Sequence, residues 1–68
     1  MELGDKYLMK VWNHDRRETI EAVGTYDGGC DHPDWGWAHC IKFDSIEGIE
    51  AEQWMSGDNL IKRIVEVL

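Results

Sequence analysis

Five short apolar segments, none longer than nine residues, make up most of this 68-residue chain, and turn-forming residues separate them. Such lengths are typical of strands, because strands average about 5–6 residues and helices about 11–12. The chain is too short for a second hydrophobic core, so we expect residues 1–68 to form a single domain. The predicted strands are 6–13, 19–26, 35–43, 49–54 and 60–68.

The third segment alternates between large and small side chains. Because successive residues of a strand point to opposite faces, one face collects the large side chains and the other collects the small ones. The fourth segment alternates apolar and acidic residues in the same way, which places Glu50 and Glu52 on one face. In the third segment the large residues are Trp37, His39, Ile41 and Phe43, and the small ones are Ala38 and Cys40.

The last segment is compatible with two structures. Its β-branched residues favour a strand, and nine residues make a short helix with no advantage in propensity. A helix over 59–68 is the alternative, and Asp58 or Asn59 could cap its first turn. We favour the strand. The residues that would share one helical face are Leu60, Ile61, Ile64, Val65 and Leu68.

Together the segments predict an all-β fold, a small five-stranded antiparallel sheet closed into a barrel. The alternative is an α+β fold, with a three- or four-stranded antiparallel sheet and a C-terminal helix at 59–68. Gly24 lies in the middle of the second strand, where glycine often marks a bulge or a sharp bend. Among the core residues we expect Leu8, Val23, Ala38, Ala51 and Ile64.

The second half of the chain resembles SH3-like and Tudor-like barrels. Gly36-Trp37-Ala38 enters a central strand after an acidic loop, a hairpin turn ends at Gly48, and Ile64-Val65-Glu66-Val67 forms a terminal strand. The resemblance implies an SH3-like barrel. A peptide-binding SH3 domain begins with an Ala-Leu-Tyr-Asp-Tyr-like segment and carries Pro-x-x-Tyr before its last strand. This chain has Tyr7-Leu8-Met9-Lys10 and Met55-Ser56-Gly57-Asp58 there, so recognition of proline-rich ligands is not implied.

Acidic residues are concentrated in one part of the chain. The net charge of the protein is −7, and residues 18–61 hold ten acidic side chains against Lys42 alone, a net charge of −9. Because nucleic acids are bound through their phosphates by basic groups, we expect no direct nucleic-acid binding. An acidic surface suits a basic partner protein, although solubility alone could also explain the charge.

Four potential metal ligands lie within eleven residues, namely Cys30, His32, His39 and Cys40. Their spacing, C-x-H-x6-H-C, matches no zinc finger, in which paired ligands lie two to four residues apart. If 35–43 is a strand, His39 and Cys40 point to opposite faces and cannot share one ion. We therefore expect Cys40 to be a small buried residue, Cys30 and His32 to lie in a loop, and no metal to be bound.

No other motif indicates chemistry. Asp27, Asp31 and Asp34 resemble part of a calcium-binding loop, but Gly29 and Ala38 occupy two of the ligand positions, so we expect solvated carboxylates. No spacing singles out a nucleophile with a base, and a domain of this size has little room for a substrate cleft. We therefore expect the protein not to be an enzyme and to carry no cofactor.

The composition favours a protein-interaction domain whose acidic surface engages a basic site on a partner protein. Small acidic proteins of phages and mobile elements inhibit nucleic-acid-binding host proteins in this way, an analogy of size and charge. Trp35, beside an acidic loop, would supply a buried anchor at such an interface. The predicted partner-binding residues are Asp31, Asp34, Trp35, Glu47, Glu50 and Glu52.

Two other functions are alternatives. The resemblance to Tudor-like barrels implies a module that reads a peptide or a modified side chain with aromatic residues. The cysteine and histidine cluster would instead define a small metal-binding protein. Two cysteines, no secretory signal at 1–5 and no long apolar run predict a cytoplasmic protein with free thiols and no membrane contact. Pairing of an open sheet edge between two copies would give a homodimer.

Overall fold

A computed structural model describes residues 1–68 as a five-stranded antiparallel sheet with one short helix. The five strands of the prediction are confirmed, although several of their ends differ. No helix is long and apolar enough to cross a bilayer. The elements are β1 (Lys6–Asn13), β2 (Glu18–His32), β3 (Gly36–Phe43), β4 (Glu52–Ser56), α1 (Gly57–Arg63) and β5 (Ile64–Val67).

The strands lie in the order β4-β3-β2-β1-β5, and all neighbours are antiparallel. The first four strands therefore form a meander of hairpins, and α1 carries the chain from β4 back to the free side of β1. There β5 pairs with β1, and Leu68 N–H donates to the carbonyl of Lys6 at 3.0 Å. The ladder does not join β4 to β5, so the sheet is open between these two edges.

The ambiguous last segment contains both of the structures considered for it. Ser56 caps α1, because its Oγ accepts a hydrogen bond from the Asn59 N–H at 3.4 Å. The helix ends at Arg63, earlier than the alternative at 59–68 required, and the strand begins at Ile64. The β-branched residues after Arg63 explain the change, since they pack better in a strand than in a helix.

The second strand is much longer than predicted. It continues to His32, and its register with β3 shifts between Tyr26 and Gly29, where one extra residue of β2 forms a bulge. The expectation that Cys30 and His32 lie in a loop is therefore wrong, because only residues 33–35 form the turn. The fourth strand is also displaced, since it begins at Glu52 rather than at residue 49.

One face of the sheet holds the hydrophobic core, and α1 covers part of it through Leu60. The expectation that Leu8 and Val23 are core residues is wrong, because these two face each other on the opposite side of the sheet. Both faces of β1 carry apolar residues, so alternation alone does not identify the buried one. The core consists of Tyr7, Met9, Val11, Ala22, Tyr26, Ile41, Phe43, Ile49, Met55 and Leu60.

The remaining predicted core residues have mixed outcomes. Ile64 is half-buried and packs against the core, whereas Ala51 is exposed because it lies in the loop before β4. Ala38 is buried, but on the other face of β3 from the main core.

Gly24 marks a close approach of side chains. A Cβ atom at this position would lie 2.5 Å from Cγ2 of Ile41 and 3.0 Å from Sδ of Met9. Any side chain at this position would therefore have to displace the side chains of Ile41, Met9 and Phe43. The bulge expected here lies instead a few residues later, between Tyr26 and Gly29.

The buried side chain of Asn13 ties two loops together. Its Oδ1 accepts hydrogen bonds from the backbone N–H groups of Asp15 and Arg16 at 3.0 and 2.9 Å, which fixes the β1–β2 turn. Its Nδ2 donates to the carbonyl of Glu47 at 3.0 Å in the β3–β4 loop. Gly48 has φ +86°, and a Cβ atom there would clash with the Asn13 amide.

The two faces of the sheet should respond differently to truncation. We expect Met9→Ala to lower the free energy of unfolding by about 2–5 kcal/mol, because Met9 is fully buried in the core. Val23→Ala on the other face should lower it by less than about 1 kcal/mol. Urea denaturation of both variants measures these values. Equal losses would show that Val23 contributes as much to packing as Met9 does, despite its exposure.

Removing the amide that joins the two loops should also destabilise the fold. Asn13→Ala leaves the carbonyl of Glu47 and two turn N–H groups without their partner, so we expect a loss of about 1–3 kcal/mol. Asn13→Asp keeps the acceptor for the turn but replaces the donor to Glu47. An Asn13→Asp variant as stable as the wild type would show that the contact with the β3–β4 loop contributes nothing.

Candidate protein-interaction site

The six predicted partner-binding residues form two groups at opposite ends of β3. One group lies at the β2–β3 hairpin, where β3 begins, and the other follows the end of β3. An eight-residue strand spans roughly 23 Å, so the two groups do not form one compact site. The hairpin group is Asp31, Asp34 and Trp35, and the distal group is Glu47, Glu50 and Glu52.

The distal group does not have the arrangement expected for it. Glu50 lies in the loop before β4, so it does not share a strand face with Glu52. The carbonyl of Glu50 accepts a hydrogen bond from Nε2 of Gln53 at 3.2 Å. The carboxylate of Glu52 accepts one from Nε1 of Trp54 at 3.0 Å. These contacts are local, and both carboxylates are exposed to solvent.

At the other end, β2 and β3 continue beyond the rest of the sheet. Pairing of β1 with β2 begins at Lys6 and Thr25, whereas pairing of β2 with β3 extends to His32 and Gly36. The last part of this hairpin therefore projects without a neighbouring strand on the β1 side. We call the side chains that it presents the hairpin tip, and they are Asp31, His32, Asp34, Trp35 and Trp37.

Trp35 is held in place by the turn around it. Its indole stacks on the imidazole of His32, with ring centroids 4.2 Å apart and the planes 15° from parallel. The same imidazole accepts a hydrogen bond at Nδ1 from the Asp34 N–H at 3.1 Å. Trp35 is nevertheless 51% exposed, as the sequence predicted. The stack restricts the side chain while leaving half of it free to bind.

A second tryptophan of the hairpin tip was not among the predicted site residues. Trp37 is 52% exposed, is the cross-strand neighbour of Asp31, and lies over Gly29. A Cβ atom at Gly29 would lie 2.6 Å from the Trp37 Nε1. Trp37 shares a face of β3 with Ile41 and Phe43, which are buried, yet it is itself exposed. Its place on the projecting part of the hairpin, where the core no longer covers that face, explains the difference.

The hairpin tip is acidic as well as aromatic. Asp31 and Asp34 are exposed, and neither takes part in an ion pair. The third aspartate of this region, Asp27, is instead paired with Lys42 at 3.2 Å. Asp31 and Trp37 are cross-strand neighbours on one face of the hairpin, whereas His32, on which Trp35 stacks, lies on the other face. Each face of the tip therefore presents one half-exposed indole.

The cysteine and histidine cluster is not assembled. His39 lies on the core face of β3, where its Nδ1 and the Tyr26 hydroxyl are 2.8 Å apart. Cys40 is buried on the opposite face. No group of three or more His, Cys, Asp or Glu side chains is arranged to hold a metal ion. Both thiols are free, Cys30 exposed near the end of β2 and Cys40 buried as expected.

The environment of Cys40 suppresses its reactivity. Desolvation by burial, and then the negative charges of Glu52 and Asp27, raise the pKa of the Cys40 thiol. A thiol that stays protonated is a weak nucleophile. The structure therefore assigns Cys40 a packing role on the outer face, where Trp54 is its cross-strand neighbour.

The fold contains no pocket. The chain matches no protein-family model, and comparisons with curated proteins and with solved structures find no similar protein.

The two thiols should differ sharply in reactivity. In the native protein a thiol reagent should modify Cys30 at once, whereas Cys40 should react only as fast as the protein unfolds. The difference should persist at alkaline pH, because burial keeps the reagent away from Cys40 and also raises the pKa of its thiol. Absorbance of the released reagent group follows the fast modification of Cys30 and the slow modification of Cys40. The Cys30→Ser variant leaves only the slow modification of Cys40 to be measured. Rapid modification of Cys40 in Cys30→Ser would contradict its burial.

Proposed function

We propose that this protein is a non-enzymatic interaction domain that binds a basic surface of a partner protein through the hairpin tip. The observation that supports the proposal best is the pair of half-exposed indoles, Trp35 and Trp37, beside the unpaired carboxylates of Asp31 and Asp34. These groups stand on a hairpin that projects from the sheet, so a partner can reach them from several sides.

The physics of such a tip suits protein recognition. Burial of tryptophan contributes much of the energy at protein interfaces, and an arginine or lysine can also pack over the indole face. Because His32 already restricts Trp35, little further side-chain entropy is lost on binding. Asp31 and Asp34 would attract basic groups and raise the association rate.

The charge of the whole chain supports a basic partner. A net charge of −7, with Lys42 as the only basic residue in 18–61, repels acidic surfaces and attracts basic ones. We propose a nucleic-acid-binding protein as the partner, whose basic site the hairpin tip would occupy. Inhibitors made by phages and mobile elements act in this way, and the analogy rests on size and charge. A cytoplasmic setting fits the two free thiols.

For the architecture we propose an SH3-like barrel that remains open between β4 and β5. The supporting observations are the return of β5 to pair with β1 and the short helix that links β4 to β5. A Tudor-like reader of modified side chains has less support. An aromatic cage needs several ring faces around a cavity, whereas His32 already covers one face of Trp35 and no pocket is present.

The test uses the protein as bait for its partner and then measures binding kinetics. We expect Trp35→Ala and Trp37→Ala each to weaken binding by about tenfold or more, as at an interface hot spot. Trp12→Ala is the matched control, because Trp12 is 49% exposed but lies at the other end of β1. Binding that tolerates both hairpin substitutions would contradict the proposal.

Charge reversal at the hairpin tip tests the electrostatic part separately. The double variant Asp31→Lys with Asp34→Lys should slow association and flatten its dependence on salt, because the Debye length is about 8 Å at 0.15 M. Asp15→Lys with Glu21→Lys changes the net charge equally at exposed sites outside the tip. If both double variants slow association equally, net charge rather than the hairpin tip attracts the partner.

A further inference from the structure

The backbone of β4 has hydrogen-bonding groups that point away from the sheet. Phe43 N–H donates to the carbonyl of Ala51 at 2.7 Å, which places Glu52 at a non-hydrogen-bonded position opposite β3. Because such positions alternate, Trp54 is at another. The N–H and C=O groups of Glu52 and Trp54 therefore face outward, and no loop or side chain bonds to them.

The other sheet edge is better protected. The strand β5 has four residues, its register with β1 is irregular, and Lys62 and Arg63 precede it. Short strands, bulges and basic side chains are common devices that keep an edge from pairing. The edge of β4 has an unbroken five-residue register and contains neither proline nor lysine. It is the edge that can accept another strand.

The charge around β4 indicates what that strand would be. No basic residue lies between Phe43 and Ile61, and Lys42 just before this stretch is paired with Asp27. A second copy of β4 would bring one acidic edge against another, which disfavours self-pairing. A basic strand would be attracted. The acidic residues of the stretch are Asp44, Glu47, Glu50, Glu52 and Asp58.

We propose that β4 accepts an extended, basic segment of the partner as an additional antiparallel or parallel strand. The outward N–H and C=O groups of Glu52 and Trp54 supply the main-chain hydrogen bonds. Basic side chains of the added strand lie beside the Glu52 carboxylate and over the indole of Trp54, which is 44% exposed. The inference rests on the proposed function only in taking the partner to be basic, since β4 and the hairpin tip are separate.

A pair of peptides tests the added strand without the partner. The probe is a blocked peptide of alternating lysine and valine, and its control is the same peptide with every residue N-methylated. The first should bind and protect the Glu52 and Trp54 N–H groups from hydrogen exchange. The N-methylated peptide keeps the charge but cannot donate backbone hydrogen bonds. Its affinity should therefore be lower by about tenfold or more. Equal binding of both peptides, or none, would overturn the proposal.

Two substitutions at one position separate the backbone from the side chain. Trp54→Pro removes an N–H that the ladder with β3 does not use, whereas Trp54→Thr removes the indole and keeps that N–H. We expect the proline variant to bind the unmethylated peptide about tenfold more weakly than the threonine variant. Equal binding by two folded variants would overturn the proposal, and the peptide pair decides it if the proline variant fails to fold.

The same measurements distinguish this inference from the proposed function. Trp35→Ala and Trp37→Ala should leave binding of the lysine–valine peptide unchanged, because the hairpin tip is not part of the β4 edge. If these two substitutions abolish peptide binding, the peptide binds at the hairpin tip, and the proposal that β4 accepts an additional strand is wrong. Loss of the captured partner in those variants concerns the proposed function alone.

Discussion

The bare backbone of Gly24 leaves the space into which the side chains of Met9 and Ile41 pack, and this close approach is possible only without a side chain at that position. These residues come from β2, β1 and β3, and Met9 and Ile41 are fully buried. A 68-residue chain buries a smaller share of its surface than larger domains do, and small domains have a stability of only a few kcal/mol. Much therefore depends on one well-packed face. The hairpin tip and both sheet edges belong to the three strands that meet at Gly24 or to strands paired with them.

Local patterns in the sequence predicted much of the fold. The bounds of β1 and the burial of Cys40 agree with expectation, because an apolar run between turn residues and a small residue in an alternating strand are local signals. The prediction of which face of β1 is buried was wrong, because Leu8 and Met9 are both apolar and only their neighbours in space distinguish them. The last segment could not be assigned to one structure, because a cap at Ser56 and β-branched residues after Arg63 favour different ones.

The candidate site was harder to predict than the strands. Trp35 could be identified from its place beside a proline and an aspartate, but Trp37 could not, because its exposure depends on how far β2 extends past β1. The distance between the hairpin tip and the distal acids likewise follows from topology. Four of the seven basic residues, by contrast, lie on β1 and just before β5, at the opposite side of the sheet from β4.

All four tryptophans lie at the surface, between 44% and 52% exposed, and none belongs to the core cluster. Indole emission reports the polarity around the ring, and here about half of each tryptophan already meets water in the native state. Intrinsic fluorescence would therefore change little when the core melts and would be a poor optical probe of unfolding. The same property makes it a sensitive probe of docking, since an indole that a partner covers passes from water into an apolar environment. A blue shift on mixing would register an encounter that leaves the fold itself unchanged.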